Sequence, residues 1–144
     1  MELTTKDIQK YQKRNVPWLK GKAVEYFNAW IRERDRDGDY FTCISCNRTI
    51  RIVNYEHGSN YHAGHYYPGT ESALKFNELN VNGQCDQCNR HKHGNQAGYR
   101  EGLIKKYGIE TVKQLEYLYA VYKREGYKWD RFFLIGIILK YKTK

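Results

Sequence analysis

Residues 43–46 read Cys43-Ile-Ser-Cys46 and residues 85–88 read Cys85-Asp-Gln-Cys88, and these two stretches decide how the chain folds. Two C-x-x-C pairs supply the four thiolates of a closed, tetrahedral zinc site, which has no open position for a substrate. A redox C-x-x-C motif explains one pair but neither the second pair nor the histidines between them. The spacing therefore predicts a structural Zn²⁺ bound by Cys43, Cys46, Cys85 and Cys88.

Composition points to a polyanionic partner. The 144 residues carry a formal net charge of +9, the pI is near 9.3, and 14 residues are tyrosine. Such a balance favours nucleic acid, with a solvated basic surface as the plainer alternative. The longest apolar run, Phe132 to Leu139, is too short to cross a bilayer, and the N-terminus lacks a signal-peptide pattern. We therefore expect a cytoplasmic protein, in which the cysteines stay reduced and bind metal.

Periodicity divides the chain into three parts of a single domain: an N-terminal segment and helix (1–38), a zinc-clamped core (39–96) and a C-terminal helical region (97–144). Residues 1–16 are polar and are expected to be loosely ordered. A helix is predicted from about Pro17 to Arg36, because apolar residues recur there at helical spacing. Short strands are predicted at 40–42, 51–53 and 61–67 with an extended lead-in over 76–80, and helices at 99–107, from a Thr111 cap to Gly126, and at 129–141.

The segment between the cysteine pairs carries a second pattern. It holds His62-Ala-Gly-His65-Tyr-Tyr-Pro68, then Asn80 five residues before Cys85, and Asn89 directly follows Cys88. This order resembles the HNH, or ββα-metal, nucleases of the four-cysteine type. The resemblance implies an α+β fold with a ββα-metal core between flanking α-helices, and a nuclease site at His65, Asn80 and Asn89.

More narrowly, the chain is similar to the NinG (Rap) family of lambdoid phage recombination nucleases over about residues 18–125. The motifs that carry the resemblance are Cys43-Ile-Ser-Cys46, Ala63-Gly-His-Tyr66, Lys75-Phe-Asn-Glu-Leu-Asn80, Gln84-Cys-Asp-Gln-Cys-Asn89, His91-Lys-His-Gly-Asn95 and Tyr99-Arg100. The resemblance implies a structure-selective endonuclease that cuts branched DNA, such as D-loops and Holliday junctions. It also implies the cytoplasm of a phage-infected or lysogenic bacterial host.

The chemistry of phosphodiester hydrolysis assigns roles to these residues. A neutral imidazole accepts the proton of the attacking water near pH 7, and His65 is the candidate base. Asn80 is expected to present a backbone carbonyl that fixes the imidazole tautomer. A divalent cation, Mg²⁺ or Mn²⁺, is expected on the scissile phosphate with Asn89 as one ligand.

Gly64 departs from the nuclease pattern. Related nucleases often carry an aspartate metal ligand directly before the base histidine, and glycine has no side chain. The remaining candidate ligands are His62, three residues before His65, and His93, expected one turn after Asn89 on the same helix face. Glu78, the nearest carboxylate in the motif, is a further candidate.

DNA contacts are expected from basic residues in and beyond the core. Those nearest the site are Arg90, Lys92, Arg100, Lys105 and Lys106, followed by Lys123, Arg124, Lys128, Arg131, Lys140, Lys142 and Lys144. His57 is read as a loop residue, and His91 as facing solvent or DNA. The run Phe132 to Leu139 is either a homodimer interface or a buried core helix. A non-catalytic, zinc-scaffolded DNA-binding module is the alternative function, and an RNA-binding zinc protein is a third.

Overall fold

Helices flank a β-rich centre in the computed structural model, which describes residues 2–56, 58–67, 73–125 and 129–142. His57, Pro68, Gly126, Lys128 and Lys144, to which the sequence analysis refers, lie outside these residues. The elements in chain order are α1 (Thr5–Lys10), α2 (Val16–Asp35), β1 (Arg36–Asp37), β2 (Tyr40–Thr42), β3 (Thr49–Arg51), β4 (Tyr61–His65), a 3-10 turn (Ala73–Phe76), β5 (Val81–Cys85), a π-helical turn (Gln87–His91), α3 (Gln96–Tyr107), α4 (Ile109–Glu125) and α5 (Arg131–Tyr141). The predicted α+β class is confirmed.

Helix α2 begins within one residue of the start predicted from the sequence, Pro17. The Asn15 side chain caps it by accepting a hydrogen bond of 2.9 Å from the Trp18 backbone N–H, and proline stands in the first turn. The prediction that residues 1–16 are loosely ordered is wrong, because they contain α1. Thr4 and Asp7 bond each other's backbone N–H groups in a reciprocal capping box, which stabilises this short helix.

A small antiparallel sheet, in the order β1-β2-β3, leads into and out of the first cysteine pair. The third strand was predicted at residues 51–53 but occupies Thr49–Arg51. This register places Ile50 opposite the buried Phe41, whereas Val53 remains 48% exposed. The packing of the partly buried Ile50 against the core around Phe41 thus decides the position of the strand.

The centre of the molecule is the antiparallel hairpin β4–β5, in which Tyr61 pairs with Cys85 and His65 pairs with Val81. The predicted lead-in over 76–80 is instead a 3-10 turn followed by a bend, so that β5 begins at Val81. The π-helical turn and α3 follow β5 directly. In chain order the core therefore reads strand, strand, helix.

Three apolar cores surround this hairpin. The first joins α2 and α5 and includes Tyr11, which follows α1; its members Phe27, Ile31, Leu134 and Ile138 are at most 1% exposed. The second lies between α3, α4 and the end of β4, and the third surrounds the cysteines. Chain segments far apart in sequence thus share the first core.

The apolar run in α5 is a core helix on its buried face. Leu134 and Ile135 are fully buried against α2, whereas Phe132 is 51% exposed. Of the two alternatives drawn from the sequence, the buried helix accounts for most of the run. Helix α4 begins at Ile109, before the predicted Thr111 cap, because Gly108 with φ +91° ends α3 immediately upstream. In the part of the chain that the structure describes, no helix is long and apolar enough to cross a membrane.

Candidate metal centre and active site

The four cysteines converge on one point. The Sγ atoms of Cys43, Cys46, Cys85 and Cys88 all lie within 4.8 Å of one another. Four sulfurs placed about 2.3 Å from a tetrahedral zinc ion lie about 3.8 Å apart. The Sγ atoms of Cys46 and Cys85 are 3.9 Å apart, so the cluster has the dimensions of a four-thiolate metal site. Among the described residues this is the one such group of histidine, cysteine and acidic side chains.

Backbone N–H groups and one guanidinium point at these sulfurs. The Cys85 N–H donates to Cys43 Sγ at 3.3 Å, and the Cys88 N–H donates to Cys85 Sγ at 3.4 Å. Arg48 Nε lies 3.3 Å from Cys46 Sγ. Such donors favour thiolates over thiols, because each hydrogen bond stabilises the negative charge on sulfur.

The cysteines of the cluster differ in pKa. Burial raises the pKa of Cys43 to about 12. Burial also opposes ionisation of Cys46, but hydrogen bonds, led by that of Arg48, outweigh it and lower the pKa of Cys46 to about 6. A bound cation must therefore displace the proton of Cys43, which makes metal binding depend on pH.

The geometry around His65 defines its basic nitrogen. His65 ends strand β4, and its Nε2 lies 3.0 Å from the backbone carbonyl oxygen of Lys75. A carbonyl only accepts hydrogen bonds, so Nε2 carries the proton and Nδ1 is the nitrogen that takes up another. Burial lowers the pKa of His65 to about 4, against an ordinary value of 6.5. The imidazole is therefore neutral at pH 7.

The carbonyl beside His65 is not the one expected from the sequence. Asn80 was expected to present it, but the 3-10 turn brings Lys75 to the ring instead. The fully buried Asn80 side chain accepts a bond of 2.9 Å from Tyr67 N–H and donates to the carbonyls of Tyr67 and Leu74 at 3.2 and 3.0 Å. Asn80 therefore holds the end of β4 against the turn that carries Lys75, and acts on His65 only through that turn.

The position of the missing carboxylate, Gly64, is filled from the neighbouring strand. A Cβ at Gly64 would collide with Oε1 of Gln84. The Gln84 Nε2 group donates to Ser45 Oγ at 2.8 Å and to the Gly94 carbonyl at 2.7 Å, which fixes the orientation of the amide. Gln84 is fully buried, and its Oε1 has no hydrogen-bond partner among the described atoms. A side chain larger than that of glycine therefore has no room at position 64.

Asn89 lies half-buried in the π-helical turn, directly after Cys88. The expected shared helix face with His93 is wrong, because the turn ends at His91 and His93 adopts the left-handed conformation, with φ +49°. The chain reverses there since the Gly94 N–H bonds the Cys88 carbonyl at 2.8 Å. His93 is exposed in this reversal, outside the helical turn of Asn89.

His62 pairs with a carboxylate that the sequence analysis did not single out. Its Nε2 lies 2.9 Å from Asp86 Oδ1, and the Asp86 carboxylate also faces Arg90 at 3.4 Å and His91 at 3.7 Å. The hydrogen bond with His62, above all, lowers the pKa of Asp86. Asp86 was detectable as the one carboxylate between the cysteines of the second pair. Its proximity to His62 follows from the β4–β5 register, which sequence does not show.

Glu78, the remaining candidate ligand, faces helix α5. Its Oε2 accepts a hydrogen bond of 2.6 Å from the Tyr141 hydroxyl and lies 3.9 Å from Lys140 Nζ. Glu78 therefore ties the loop before β5 to the C-terminal helix. Among the described residues, the contacts of Glu78 do not include Asn89 or His65.

The basic residues predicted to contact DNA differ in their surroundings. Arg90 faces Asp86, and Arg100 forms a two-point ion pair with Glu116 at 3.1 and 3.3 Å. Lys92 is exposed after the π-helical turn, and Lys105 Nζ lies 3.4 Å from the Asn47 side chain. These side chains present positive charge to solvent without belonging to a core.

Lys106 has a different environment. Its Nζ lies 3.0 Å from Asp35 Oδ1 and 2.8 Å from Asn82 Oδ1, and burial lowers its pKa. Arg34 binds the same Asp35 carboxylate at 2.7 and 2.9 Å. Lys106 thus joins α3 to α2 and β5, beside a cavity of about 510 Å³. Its contacts are those of a structural residue.

Comparison with known proteins places this chain in a family. The chain matches the family described as bacteriophage lambda NinG protein over residues 3–144. It is 42% identical to protein NinG of Escherichia phage lambda over 100 residues, which are 69% of this chain and 44% of that protein. Identity is 41% over equal shares to protein NinG of Salmonella phage P22 and of Escherichia phage 933W. The chain therefore spans less than half the length of these relatives. No solved structure matches it.

Proposed function

The chain belongs to the NinG family of lambdoid phages, and on this premise we propose that it is a metal-dependent endonuclease that hydrolyses phosphodiester bonds in branched recombination DNA. The observation that carries the proposal is the His65 imidazole. It is neutral, its tautomer is fixed by the Lys75 carbonyl, and it ends the first strand of a hairpin whose second strand, β5, leads into the Asn89 turn. The strand-strand-helix order and the cysteine clamp support an HNH-like, ββα-metal assignment.

His65 acts as the general base. With Nε2 donating to the Lys75 carbonyl at 3.0 Å, Nδ1 takes the proton of the attacking water. A pKa of about 4 keeps the ring unprotonated in the free protein. An approaching phosphate brings negative charge, which favours the imidazolium and strengthens the base when the substrate is present.

The residues that would hold a catalytic Mg²⁺ or Mn²⁺ are Asn89 and the His62–Asp86 pair. The amide oxygen of Asn89 and a carboxylate one helical turn earlier are hard oxygen donors, as these cations require. The cation, when bound, would stabilise charge on phosphorus and on the departing oxygen. Asp86 then takes the place of the carboxylate that Gly64 lacks.

The four-thiolate cluster is proposed to bind Zn²⁺ as a structural ion. Its donors are all sulfur and its sulfurs lie at tetrahedral spacing, which suits zinc and leaves no position for water. When bound, the ion would join the β2–β3 connection to the end of β5, because Cys43 and Cys46 lie in the former and Cys85 in the latter. The cysteines would thereby hold the β4–β5 hairpin, which carries His65, against the Asn89 turn.

The substrate and setting are proposals of the same kind. Branched DNA such as a D-loop or Holliday junction, a bacterial host cytoplasm and a possible homodimer follow from the family and from the net charge of +9. Paired cuts in a two-fold symmetric junction require two active sites, which a homodimer supplies. Light scattering at micromolar concentration tests the dimer, and a monomer contradicts it.

Cleavage of a branched oligonucleotide with Mg²⁺ or Mn²⁺ tests the activity. We expect nicks near the branch point with wild-type protein and a loss of at least about 100-fold in rate with His65→Ala, because general bases contribute on that scale. DNA affinity should be unchanged in the variant. Asp86→Asn should raise the metal concentration needed for half-maximal cleavage. Absence of cleavage with either metal contradicts the proposal.

One observation favours the alternative of a non-catalytic DNA-binding module. Gln84 fills the space next to Gly64, where related nucleases place a metal ligand. The module predicts that wild-type protein and His65→Ala bind branched DNA equally and that neither cuts it. The endonuclease proposal predicts equal binding but cleavage that is lost in His65→Ala. The same experiment therefore separates the two functions.

A further inference from the structure

A recess of about 220 Å³ lies where α1, α2 and α5 meet, away from the β4–β5 hairpin. Its walls combine aromatic and cationic side chains, among them Tyr11, Arg14, Trp18, Lys22 and Tyr26. We propose that this recess is a second nucleic-acid site that binds an unpaired segment of DNA. The inference rests on the proposed function in taking DNA as the ligand, but not on catalysis.

The charge of the recess is positive and largely uncompensated. Four cations line it, Lys10, Arg14, Lys22 and Lys142, and no carboxylate does so among the described residues. Lys22 pairs with Glu25 at 3.0 Å, outside the lining. Residues 2–22 contain six basic and two acidic side chains, so the charge extends over the adjoining surface. Such a cluster attracts phosphates.

The aromatic walls indicate unpaired rather than duplex DNA. The Arg14 guanidinium lies 4.3 Å from the centroid of the Trp18 ring, and Trp18 and Tyr26 are both partly exposed. Bases stack on aromatic rings and on guanidinium planes only when they are not already stacked in a duplex. A recess of about 220 Å³ is smaller than a cofactor pocket, and accepts one base or one phosphate at a time.

The recess is built into the fold rather than formed by loose side chains. An Arg131 terminal nitrogen, Nη2, on α5 donates to the carbonyls of Tyr11 and Arg14 at 3.0 and 2.9 Å, which fixes the connection between α1 and α2. The Asn15 cap fixes the first turn of α2. Arg131, which was expected to contact DNA, therefore shapes the recess through the backbone. A site prepared in this way loses little entropy on binding.

The two sites use different elements of the molecule. The candidate active site is formed by β4, β5 and the π-helical turn, whereas the recess is formed by α1, α2 and α5. A branched DNA offers both partners in one molecule when a strand is unpaired near the branch. The recess would then hold the unpaired strand while a duplex arm lies at His65.

Fluorescence anisotropy with a labelled oligothymidine of about ten nucleotides tests the recess. The protein carries His65→Ala throughout, so that binding is measured apart from cleavage. Arg14→Gln/Lys142→Gln should weaken binding at least about fivefold and reduce the slope of log K against log salt by about 1.4, as two lost phosphate contacts require. Photocrosslinking to bromodeoxyuridine DNA should label the peptide that contains Trp18.

Arg51→Gln/Lys113→Gln is the matched control, because it removes one arginine and one lysine at exposed positions that neither line the recess nor belong to the basic segment 2–22. We expect less than a twofold loss for the control, and thermal unfolding verifies that both variants fold. Equal losses in the two variants, no binding of the oligothymidine, or an equal loss for blunt duplex DNA overturns the inference. None of these results depends on whether the protein cuts DNA.

Discussion

Gly64 and Gln84 form a steric pair across the central hairpin. Gly64→Ala should destabilise the protein by about 1–3 kcal/mol, because the new Cβ meets the Gln84 amide, which two hydrogen bonds hold in place. Urea unfolding measures the change. Gly21→Ala is the control, since a Cβ at Gly21 meets nothing within 4 Å in the exposed α2 position, and it should stabilise the helix by up to about 1 kcal/mol. Equal midpoints for Gly64→Ala and wild type would contradict the steric pair.

The pKa of His65 links stability to pH. The folded protein holds this pKa at about 4, below the value of about 6.5 in the unfolded chain, so the unfolded chain binds the proton first. Stability must then fall as the pH is lowered from about 6.5 to about 4, by at most about 3 kcal/mol because the ring is only partly buried. The difference in unfolding free energy between wild type and His65→Gln should shrink over this window. A difference that is constant with pH would show that the ring titrates normally.

At the scale of residues, the sequence predicts which side chains can bind a metal or a proton better than it predicts which of them lie close together. The cysteines were predicted from spacing, and they converge. The sequence analysis missed three neighbours in the candidate site: the Lys75 carbonyl beside His65, the Gln84 amide beside Gly64, and Asp86 beside His62. Each owes its position to the β4–β5 register or to the 3-10 turn. A motif fixes residue types along the chain, but contacts between strands depend on pairing that no local pattern encodes.

Among the elements, the connection between β4 and β5 depends on one side chain. Asn80→Ala should cost about 2–4 kcal/mol, since it leaves the Tyr67 N–H and the carbonyls of Tyr67 and Leu74 without their buried partner. Thermal or urea unfolding gives the value. Asn60→Ala removes two bonds, to Val53 N–H and the Arg51 carbonyl, at a partly exposed site where water replaces them. It should cost about 1 kcal/mol or less. Equal costs would refute the role of burial.

The four-cysteine cluster is the second feature expected to hold a secondary-structure element in place, in this case the end of β5. Removal of the ion by a strong chelator should lower the melting temperature and disorder the third core, because Cys43, Cys85 and Cys88 are themselves part of it. Elemental analysis should find one ion per chain. Cys46→Ser should weaken retention of the ion, whereas Ser45→Ala, which leaves all four sulfurs, should not. A melting temperature that is unaffected by chelation would contradict a structural ion.

Helices are predicted correctly from the sequence where one hydrophobic period dominates the segment. The apolar stripe of α2 gave its bounds almost to the residue, and the tyrosine and leucine stripe gave α3. Prediction from the hydrophobic period failed for α1, where a capping box in a polar segment outweighs the lack of an apolar face. A helical period also does not specify the π form of the turn at Gln87–His91, which is followed by left-handed residues at His93 and Asn95. Caps and metal ligands are tertiary or pairwise effects that a hydrophobic period does not contain.

Across the whole molecule, α2 and α5 support each other. Ile135→Ala should destabilise the protein by about 2–5 kcal/mol, because this fully buried side chain packs in the core that the two helices share. Phe132→Ala on the same helix, at a position 51% exposed, should cost about 1 kcal/mol or less. Denaturant midpoints compare the two. If Phe132→Ala is the more harmful variant, and only at high protein concentration, the exposed phenylalanine lies in a subunit interface instead.

The pairing of α2 with α5 also has a consequence for how the protein is made. About 100 residues of chain separate the two helices. The contact between them therefore has a large sequence separation, and we expect it to form late in folding. During synthesis on the ribosome, the apolar face of α2 emerges long before its partner has been translated. The nascent chain therefore carries an uncovered hydrophobic stripe until α5 emerges, and exposed apolar surface of this kind is prone to aggregation. Mutations in α5 should accordingly reduce the yield of folded protein in cells before they affect any reaction of the finished molecule.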